Sequence, residues 1–451
     1  MLGEILVTRS YDFAKPNELR DFLRRVLGDG LVVVEGDEHK FQRKHIMPVF
    51  SFRHIKNLYP MMWEKAVELT KAIEAEIHEN PDPAFRDEKH TTGVVEVNHW
   101  ANKVTMDIIG IAGLGREFNM LKNGDDELIE NYEEILEPTV ERGIYFALCL
   151  IFPAKLVESL PWKLNERLRI TTENINRICL DLVREKKLAL EKGEEHVNIL
   201  STLVKSNNFS EKELVDQMLT FLAAGFALSH FFSWSVANAT SRHETTSSAF
   251  TWTAYFLAKY PEFQSKVRVE VRKAIPQNPW DNASALEELS DTLEGLPYLN
   301  AVCSETQRLF PTVPITLRTA VRDTQLGNIP VPKGTQILMS PMAVNRSYEL
   351  WGENADEFTP ERWIDEKNGE LRPNNTGGAN SNYSYLTFLH GPRSCIGQGF
   401  AKAELRVLVA AFVGAFEMSL ANPNEEMEIG GTVTLKPVNG MNLRLKAVRS
   451  W

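Results

Sequence analysis

The spacing of apolar residues predicts a protein built mainly from helices. Residues 56–80 and 165–190 carry apolar side chains three and four positions apart among charged ones, which is typical of amphipathic helices packed on a core. One further helix is predicted at about residues 398–418. The first two thirds of the chain are therefore predicted to be helical, with short loops.

A different pattern begins after about residue 310, where proline and glycine become more frequent and short strand-like runs appear. These runs are residues 314–321, 335–340, 431–435 and 441–446. The polar stretch 368–384 is predicted to be a loop, and residues 5–8 (ILVT) are strand-like. The sequence has no internal repeat and no clear linker. The expected class is mainly α with a minor β region, in a single domain over residues 1–451.

Composition narrows the class of protein. With 43% hydrophobic and 25% charged residues, the chain is not disordered, and a net charge of −11 argues against nucleic-acid binding. No run of 18 apolar residues is present to form a transmembrane helix. The four cysteines include no C-x-x-C pair, which excludes a zinc ribbon and favours a reducing, cytosol-facing location.

The stretch 388–397 (FLHGPRSCIG) carries the strongest chemical signal. Cys395 precedes the predicted helix 398–418, whose N-terminal dipole and N–H groups favour a thiolate. Gly391 and Gly397 let the backbone pass close to a flat partner, and Arg393 is placed to pair with a carboxylate. An iron porphyrin with its propionates meets all three requirements. The alternative is a buried structural cysteine in a turn.

This stretch resembles the haem-thiolate signature of the cytochrome P450 superfamily, of the fungal microsomal type. Further pieces follow in the family's order. Glu305 and Arg308 match its E-x-x-R pair on a helix, and Arg362 lies in a stretch (PERW) similar to its later arginine element. The resemblance implies the cytochrome P450 fold and a buried ion-pair cluster of these three residues, whose disruption leaves an unpaired charge.

The resemblance also implies haem b, with Cys395 as the iron ligand. The residues implied to contact the cofactor are Arg43, His39, Arg318, Arg393, Phe388, Gly391 and Gly397. His39 stands where the family usually has tryptophan, and a surface histidine is the alternative. If the resemblance is set aside, the sequence around Arg318 predicts a cation exposed on a strand.

The oxygen-activating motif of the family is split in this sequence. Ala224 and Gly225 are separated from residues 243–246 (HETT) by the 17 residues 226–242. The resemblance implies that Glu244 and Thr245 relay protons. A continuous helix would displace these two residues by about 26 Å and rotate them by about 260°, whereas a bulge would break backbone hydrogen bonds in a buried place. Our hypothesis is that residues 226–242 are a retained intron translated in frame.

The implied activity is that of a monooxygenase, which inserts one oxygen atom of O2 into a small lipophilic substrate, with a leaning toward secondary metabolism. Because the sequence has no G-x-G-x-x-G fingerprint, electrons are expected from a separate NADPH-dependent flavoprotein reductase. The family's location is the cytosolic face of the endoplasmic reticulum membrane, so contact with a membrane surface is expected. The family's N-terminal portion is expected to be missing from this chain.

Three other interpretations stay open at this stage. The first is a haem-thiolate isomerase or dehydratase, which needs no reductase. The second is a non-functional product of a misassembled gene, and the third is a purely structural helical protein, which leaves the ordered motifs unexplained.

Overall fold

The structure is a computed structural model. It describes residues 1–85, 91–136, 159–194, 198–225, 245–275, 287–424, 427–430 and 434–448, with isolated residues between 141 and 157. The helices longer than one turn are α1 Asn17–Leu27, α2 Gly36–Ile46, α3 Phe52–Lys56, α4 Tyr59–Glu79, α5 Val97–Ile109, α6 Glu127–Leu136, α7 Lys163–Glu191, α8 Ile199–Ser206, α9 Glu211–Gly225, α10 Thr245–Lys259, α11 Pro261–Ala274, α12 Leu289–Gly295, α13 Pro297–Leu309, α14 Pro341–Asn345, α15 Tyr348–Trp351 and α16 Gln398–Ala415. The strands are β1 Phe13–Ala14, β2 Thr92–Glu96, β3 Thr316–Ala320, β4 Thr324–Leu326, β5 Ile329–Val331, β6 Gln336–Met339, β7 Ile364–Lys367, β8 Glu370–Pro373, β9 Phe416–Leu420, β10 Ile429–Gly430, β11 Lys436–Pro437 and β12 Asn442–Ala447.

The larger core forms where α4, α10 and α16 pack together with α5, α11 and α13. Helix α10 is buried around nearly its whole circumference, which places it at the centre of this core. Helix α16 is likewise buried along most of its length, with Leu408 and Phe412 at or near zero exposure. Burying one such side chain contributes about 1.5–3 kcal/mol. The site helices α10 and α16 are thus held rigidly against each other.

A second core lies around the long helix α7, which packs against α6, α8 and α9. Its apolar face is buried at Ile175, Cys179 and Leu182. These positions are four and three residues apart, which is the spacing of one helix face.

Two three-stranded antiparallel sheets complete the fold. In one, β12 is the central strand between β2 and β9. In the other, β3 pairs with β1 on one side and β6 on the other, and Arg318 lies opposite Ile337. The second sheet brings the start of the chain next to residues that follow α13.

The predicted class, mainly α with a minor β region, is confirmed. The predicted helices at 56–80, 165–190 and 398–418 are α4, α7 and α16, the last ending at Ala415, where β9 begins. Most of the predicted strand 431–435 lies outside the described residues. No helix in the described part of the chain is both long and apolar enough to cross a bilayer.

Two local predictions are wrong. Residues 5–8 are not a strand, because Glu4–Thr8 forms a π-helix that buries Ile5 and Leu6 against β1 and β6. A short apolar run does not by itself distinguish a strand from a buried helical turn. The polar stretch 368–384 is not loop throughout, because β8 pairs with β7 across a turn with Asn368 at φ 56° and Gly369 at φ 77°.

Candidate active site

The loop that carries Cys395 is closed by backbone hydrogen bonds. The Cys395 N–H donates to Phe388 O at 2.9 Å, and the Ser394 N–H donates to Gly391 O at 3.0 Å. Gly397 is the residue before α16. These contacts fix Cys395 immediately ahead of the helix N-terminus, as predicted from the sequence.

The Cys395 thiol combines exposed surface with close protein surroundings. The side chain has exposed surface, yet burial raises the pKa of its thiol, which places the sulfur among protein atoms and not in bulk solvent. A hydrogen bond from the Gly397 N–H and the nearby Arg43 cation lower that pKa but do not outweigh burial. The N–H group at the helix start therefore lowers the pKa of the thiol, but by less than burial raises it. A metal that binds the sulfur would hold it deprotonated.

Gly391 is required for a reason that the sequence did not reveal. It has φ 75°, and a Cβ at this position would lie 2.1 Å from Leu6 O. A close approach at Gly391 is therefore made by the N-terminal π-helix of the same chain. At Gly397 the nearest atoms to such a Cβ are Phe50 Cε1 at 3.9 Å and the Cys395 sulfur at 4.0 Å, which are ordinary van der Waals distances.

Next to the loop, Lys15 and Arg393 contact one carboxylate, that of Glu35, and Arg318 lies nearby. Glu35 contacts Arg393 through Oε2, and its Oε1 lies 3.4 Å from Lys15 Nζ. Burial lowers the pKa of Lys15 to about 8 and that of Arg318 to about 10. Arg318 is 5% exposed and donates to its own strand. It is not the exposed strand cation that its sequence context alone suggested.

Arg43 and His39 reach this region from α2. Arg43 donates to Ser394 O at 2.7 Å and to Ser394 Oγ at 3.1 Å, so it is anchored to the Cys395 loop. His39 is 4% exposed, which excludes the surface-histidine alternative. Its Nδ1 lies 3.1 Å from the Tyr11 hydroxyl.

These residues fit a haem. The Arg393 side chain is 5% exposed, and its Nε and Nη1 atoms are buried without a hydrogen-bond partner in the part of the chain that the structure describes. A buried donor without an acceptor is costly, and the local charge is positive by two, from three cations and Glu35. Two propionates would supply both the missing acceptors and the missing negative charge, and Cys395 is the residue that would ligate the iron.

The three residues implied to form an ion-pair cluster are in contact. Glu305 and Arg308 are fully buried and joined at 2.8 Å, and Arg362 Nε lies 3.0 Å from the same carboxylate. The carboxylate also accepts from the Thr359 N–H and from the Trp363 indole. Five N–H donors thus share the Glu305 carboxylate, and these hydrogen bonds join α13 to the turn Pro360–Trp363 (PERW).

The comparisons with known proteins decide the family. The sequence model of the family described as cytochrome P450 matches residues 1–443. Cytochrome P450 monooxygenase sphH of Aspergillus fumigatus is 40% identical over 100% of this chain and 78% of the relative. For cytochrome P450 monooxygenase ALT8 of Alternaria alternata the identity is 37% over 100% of this chain and 80% of the relative. For cytochrome P450 monooxygenase ptmK of Penicillium ochrochloron it is 38% over 99% and 82%.

The chain belongs to the cytochrome P450 family.

Membership confirms several expectations about this P450. The fold is the cytochrome P450 fold, the cofactor is haem b, and the enzyme class is that of the monooxygenases. The family implies O2, a redox partner reductase and an organic substrate. Nothing in the comparisons favours the isomerase or dehydratase alternative.

The oxygen-activating residues of this P450 are only partly described. Glu244 and the insertion 226–242 lie outside the described residues. Thr245 is the first residue of α10, and its carbonyl accepts from Thr312 Oγ1 at 3.1 Å. The next hydroxyl, that of Thr246, donates to the Glu404 carboxyl on α16.

Sequence reasoning missed four residues around this site. Three of them, Tyr11, Lys15 and Glu35, come close to the Cys395 loop only because distant parts of the chain meet in the fold. No periodic pattern in the sequence predicts these contacts. Glu404 did leave a signal, since it is the single acid in the apolar run that α16 buries. It is 3% exposed, one of its oxygens has no hydrogen-bond partner among the described residues, and burial raises its pKa to about 8.

Proposed function

We propose that this P450 inserts one atom of O2 into a small lipophilic substrate of fungal secondary metabolism. The observation that carries the proposal is the loop of Cys395, in which the thiol lies close to the buried Arg393, two of whose donor atoms have no hydrogen-bond partner among the described residues. Its relatives are fungal monooxygenases, which supports the proposed setting. When bound, haem supplies the iron that activates O2.

The chain's own residues would hold and orient the cofactor. Cys395 would ligate the iron, with the Gly397 N–H donating to the sulfur and stabilising its charge. Arg393 and Arg318 would neutralise the propionates, and Arg393 has two donors free to do so. Arg43 and His39 would fix the edge of the cofactor nearest α2. Phe388 lies against the loop and accepts the Cys395 N–H through its carbonyl.

Protons would reach the distal side through Glu244 and Thr245. The Thr245 hydroxyl would hold a proton near the oxygen site, and the Glu244 carboxyl would replace it after transfer. This assignment rests on the sequence HETT and on the position of Thr245 at the start of α10.

Electrons would come from an NADPH-dependent flavoprotein reductase at the cytosolic face of the endoplasmic reticulum membrane. The absence of a G-x-G-x-x-G stretch from the sequence supports a separate reductase. Contact of this chain with the membrane surface is part of the proposal.

Residues 226–242 would be a translated intron within one P450 domain that spans residues 1–451. The support is that the sequence on either side rejoins as AAGHETTSSAF, which matches the family pattern without a gap. Sequencing of mature transcripts across the codons of Gly225 and His243 tests this. Messages that all retain the insertion would contradict it.

The test of function is a reduced carbon-monoxide difference spectrum of the full chain. A strongly red-shifted Soret band is expected, and Cys395→Ala should abolish it. Cys179→Ala is the matched control, because Cys179 is buried in α7, outside the loop. An unchanged band in Cys395→Ala would end the assignment. If the chain as written shows no band, the same spectrum of a chain without residues 226–242 decides the role of Cys395.

A further inference from the structure

Tyr11 occupies a position that no motif predicts. It lies in the short turn Ser10–Asp12, ahead of β1. Two cations lie over its ring, with Lys40 Nζ 4.7 Å and the Arg393 guanidinium 4.9 Å from the ring centroid. Its hydroxyl lies 3.1 Å from His39 Nδ1. Tyr11 thus touches two of the residues that the proposed function assigns to the haem.

The direction of the hydrogen bond between Tyr11 and His39 decides what His39 can do. A neutral imidazole has one N–H donor and one acceptor nitrogen, and the partner of one nitrogen fixes the state of the other. Among the described residues, His39 Nδ1 is the only acceptor within reach of the Tyr11 hydroxyl. The proton is therefore expected to go from oxygen toward Nδ1.

The surroundings also keep His39 neutral. Its pKa is lowered to about 4, chiefly by burial and then by the neighbouring cations. The charged groups that face it are Arg393, Lys15, Glu35 and Arg43. With three cations against one carboxylate, a further positive charge on the imidazole is disfavoured. Near pH 7 the ring therefore carries one proton, and Tyr11 determines which nitrogen holds it.

We infer that Tyr11 is a positioning residue that donates to His39 Nδ1 and so keeps the imidazole proton on Nε2, where His39 donates it to a carboxylate of the haem. This inference rests on the proposed function for its last step. A neutral ring with a single outward N–H is the chemical equivalent of an indole, the group that usually stands at this position. The Tyr11–His39 pair replaces one tryptophan by two residues from distant parts of the chain.

The first test reads the tautomer directly and does not need the cofactor. The full chain is labelled with ¹⁵N-histidine, and the His39 signal is assigned by its loss in His39→Gln. At pH 7, long-range ¹H–¹⁵N correlations should show Nε2 protonated and Nδ1 as the acceptor. In Tyr11→Phe we expect a mixture of the two tautomers. A proton on Nδ1, or on both nitrogens, in the unchanged chain would overturn the inference.

The second test measures the consequence for haem. Loss of haem to a scavenging apoprotein should be about tenfold faster in Tyr11→Phe, the scale of one hydrogen bond to a charged group. In a His39→Trp background the same Tyr11→Phe change should have little effect, because an indole has no tautomer to fix. Tyr348→Phe is the matched control, since its hydroxyl bonds to Asp356 at an exposed site.

The outcomes separate this inference from the proposed function. Equal acceleration by Tyr11→Phe in both backgrounds would mean that Tyr11 acts only by packing, and would refute the tautomer role. A wild-type chain without the red-shifted band would count against the function of this polypeptide, while the nitrogen signals of His39 would still decide the role of Tyr11.

Discussion

Replacing Glu305 by glutamine should be among the most damaging isosteric changes at the base of the site. Oε1 accepts from Arg308 Nη2, Arg362 Nε and the Thr359 N–H, and Oε2 accepts from Arg308 Nε and the Trp363 indole. An amide has one acceptor oxygen and one NH2 donor. Whichever way it turns, at least two buried donors lose their acceptor and meet another donor.

The magnitude follows from these contacts. Each stranded donor costs about 1–3 kcal/mol, and breaking a buried ion pair from one side costs about 3–5 kcal/mol. Glu305→Gln should therefore lower the free energy of unfolding by about 3–5 kcal/mol. Urea denaturation followed by tryptophan fluorescence measures this loss. The free energy of unfolding in water is obtained from the urea concentration at the midpoint of the transition and from the dependence of the free energy on urea concentration.

Glu361→Gln is the matched control for Glu305→Gln. Glu361 lies next to Arg362, but it is largely exposed and pairs with Lys266 at 3.1 Å on the surface. Such a pair contributes about 0–1 kcal/mol. If both variants lose the same small amount of stability, below about 1 kcal/mol, then the buried cluster does not carry the energy that its geometry indicates.

Three further changes give distinct readouts. Gly391→Ala should lower the free energy of unfolding by several kcal/mol more than Gly369→Ala. Both glycines have a positive φ, but only a Cβ at residue 391 would collide with Leu6 O. Equal urea midpoints for the two variants would contradict this collision. The pKa of Glu404 is about 8 in the folded state and 4.5 in the unfolded state, so the folded protein holds one proton more between these pH values. The free energy of unfolding should therefore fall as pH rises through this range, by up to about 1.4 kcal/mol per pH unit. Glu404→Gln should flatten that dependence, and an unchanged slope would exclude Glu404 as its source. Asp107→Ala should lower the free energy of unfolding by about 2 kcal/mol or more, because the buried Asp107 carboxylate accepts the backbone N–H groups of Met120 and Leu121. Thermal unfolding measures this loss.

The parts of the site that sequence predicted are those with local spacing. Glu305 and Arg308 stand one helical turn apart, so their contact follows from helix geometry once the helix is recognised. Cys395 could be placed because a glycine-bounded loop and an apolar helix surround it. The shift of its thiol pKa could not be predicted, since it depends on how much protein packs around the sulfur.

The parts that escaped prediction depend on contacts between distant segments. Gly391 was correctly identified as a position that excludes a side chain, but the sequence does not say which atoms approach it, and they belong to residue 6. Nothing in the sequence around Glu35 and Lys15 distinguishes them from ordinary surface charges. They come to lie beside Arg393 only in the folded protein. For the same reason, the π-helix Glu4–Thr8 was mistaken for a strand, because its apolar residues pack on distant strands.

The central position of β12 has a consequence for synthesis. Residues 442–447 pair with Thr92–Glu96 on one side and with Phe416–Leu420 on the other. While the ribosome is still making the last part of the chain, β2 and β9 have no strand between them, and their open edges are exposed to pairing with other chains. Sheet closure must therefore wait for release of residues 442–447, so a nascent chain of this protein depends on protection of those edges until translation has passed β12.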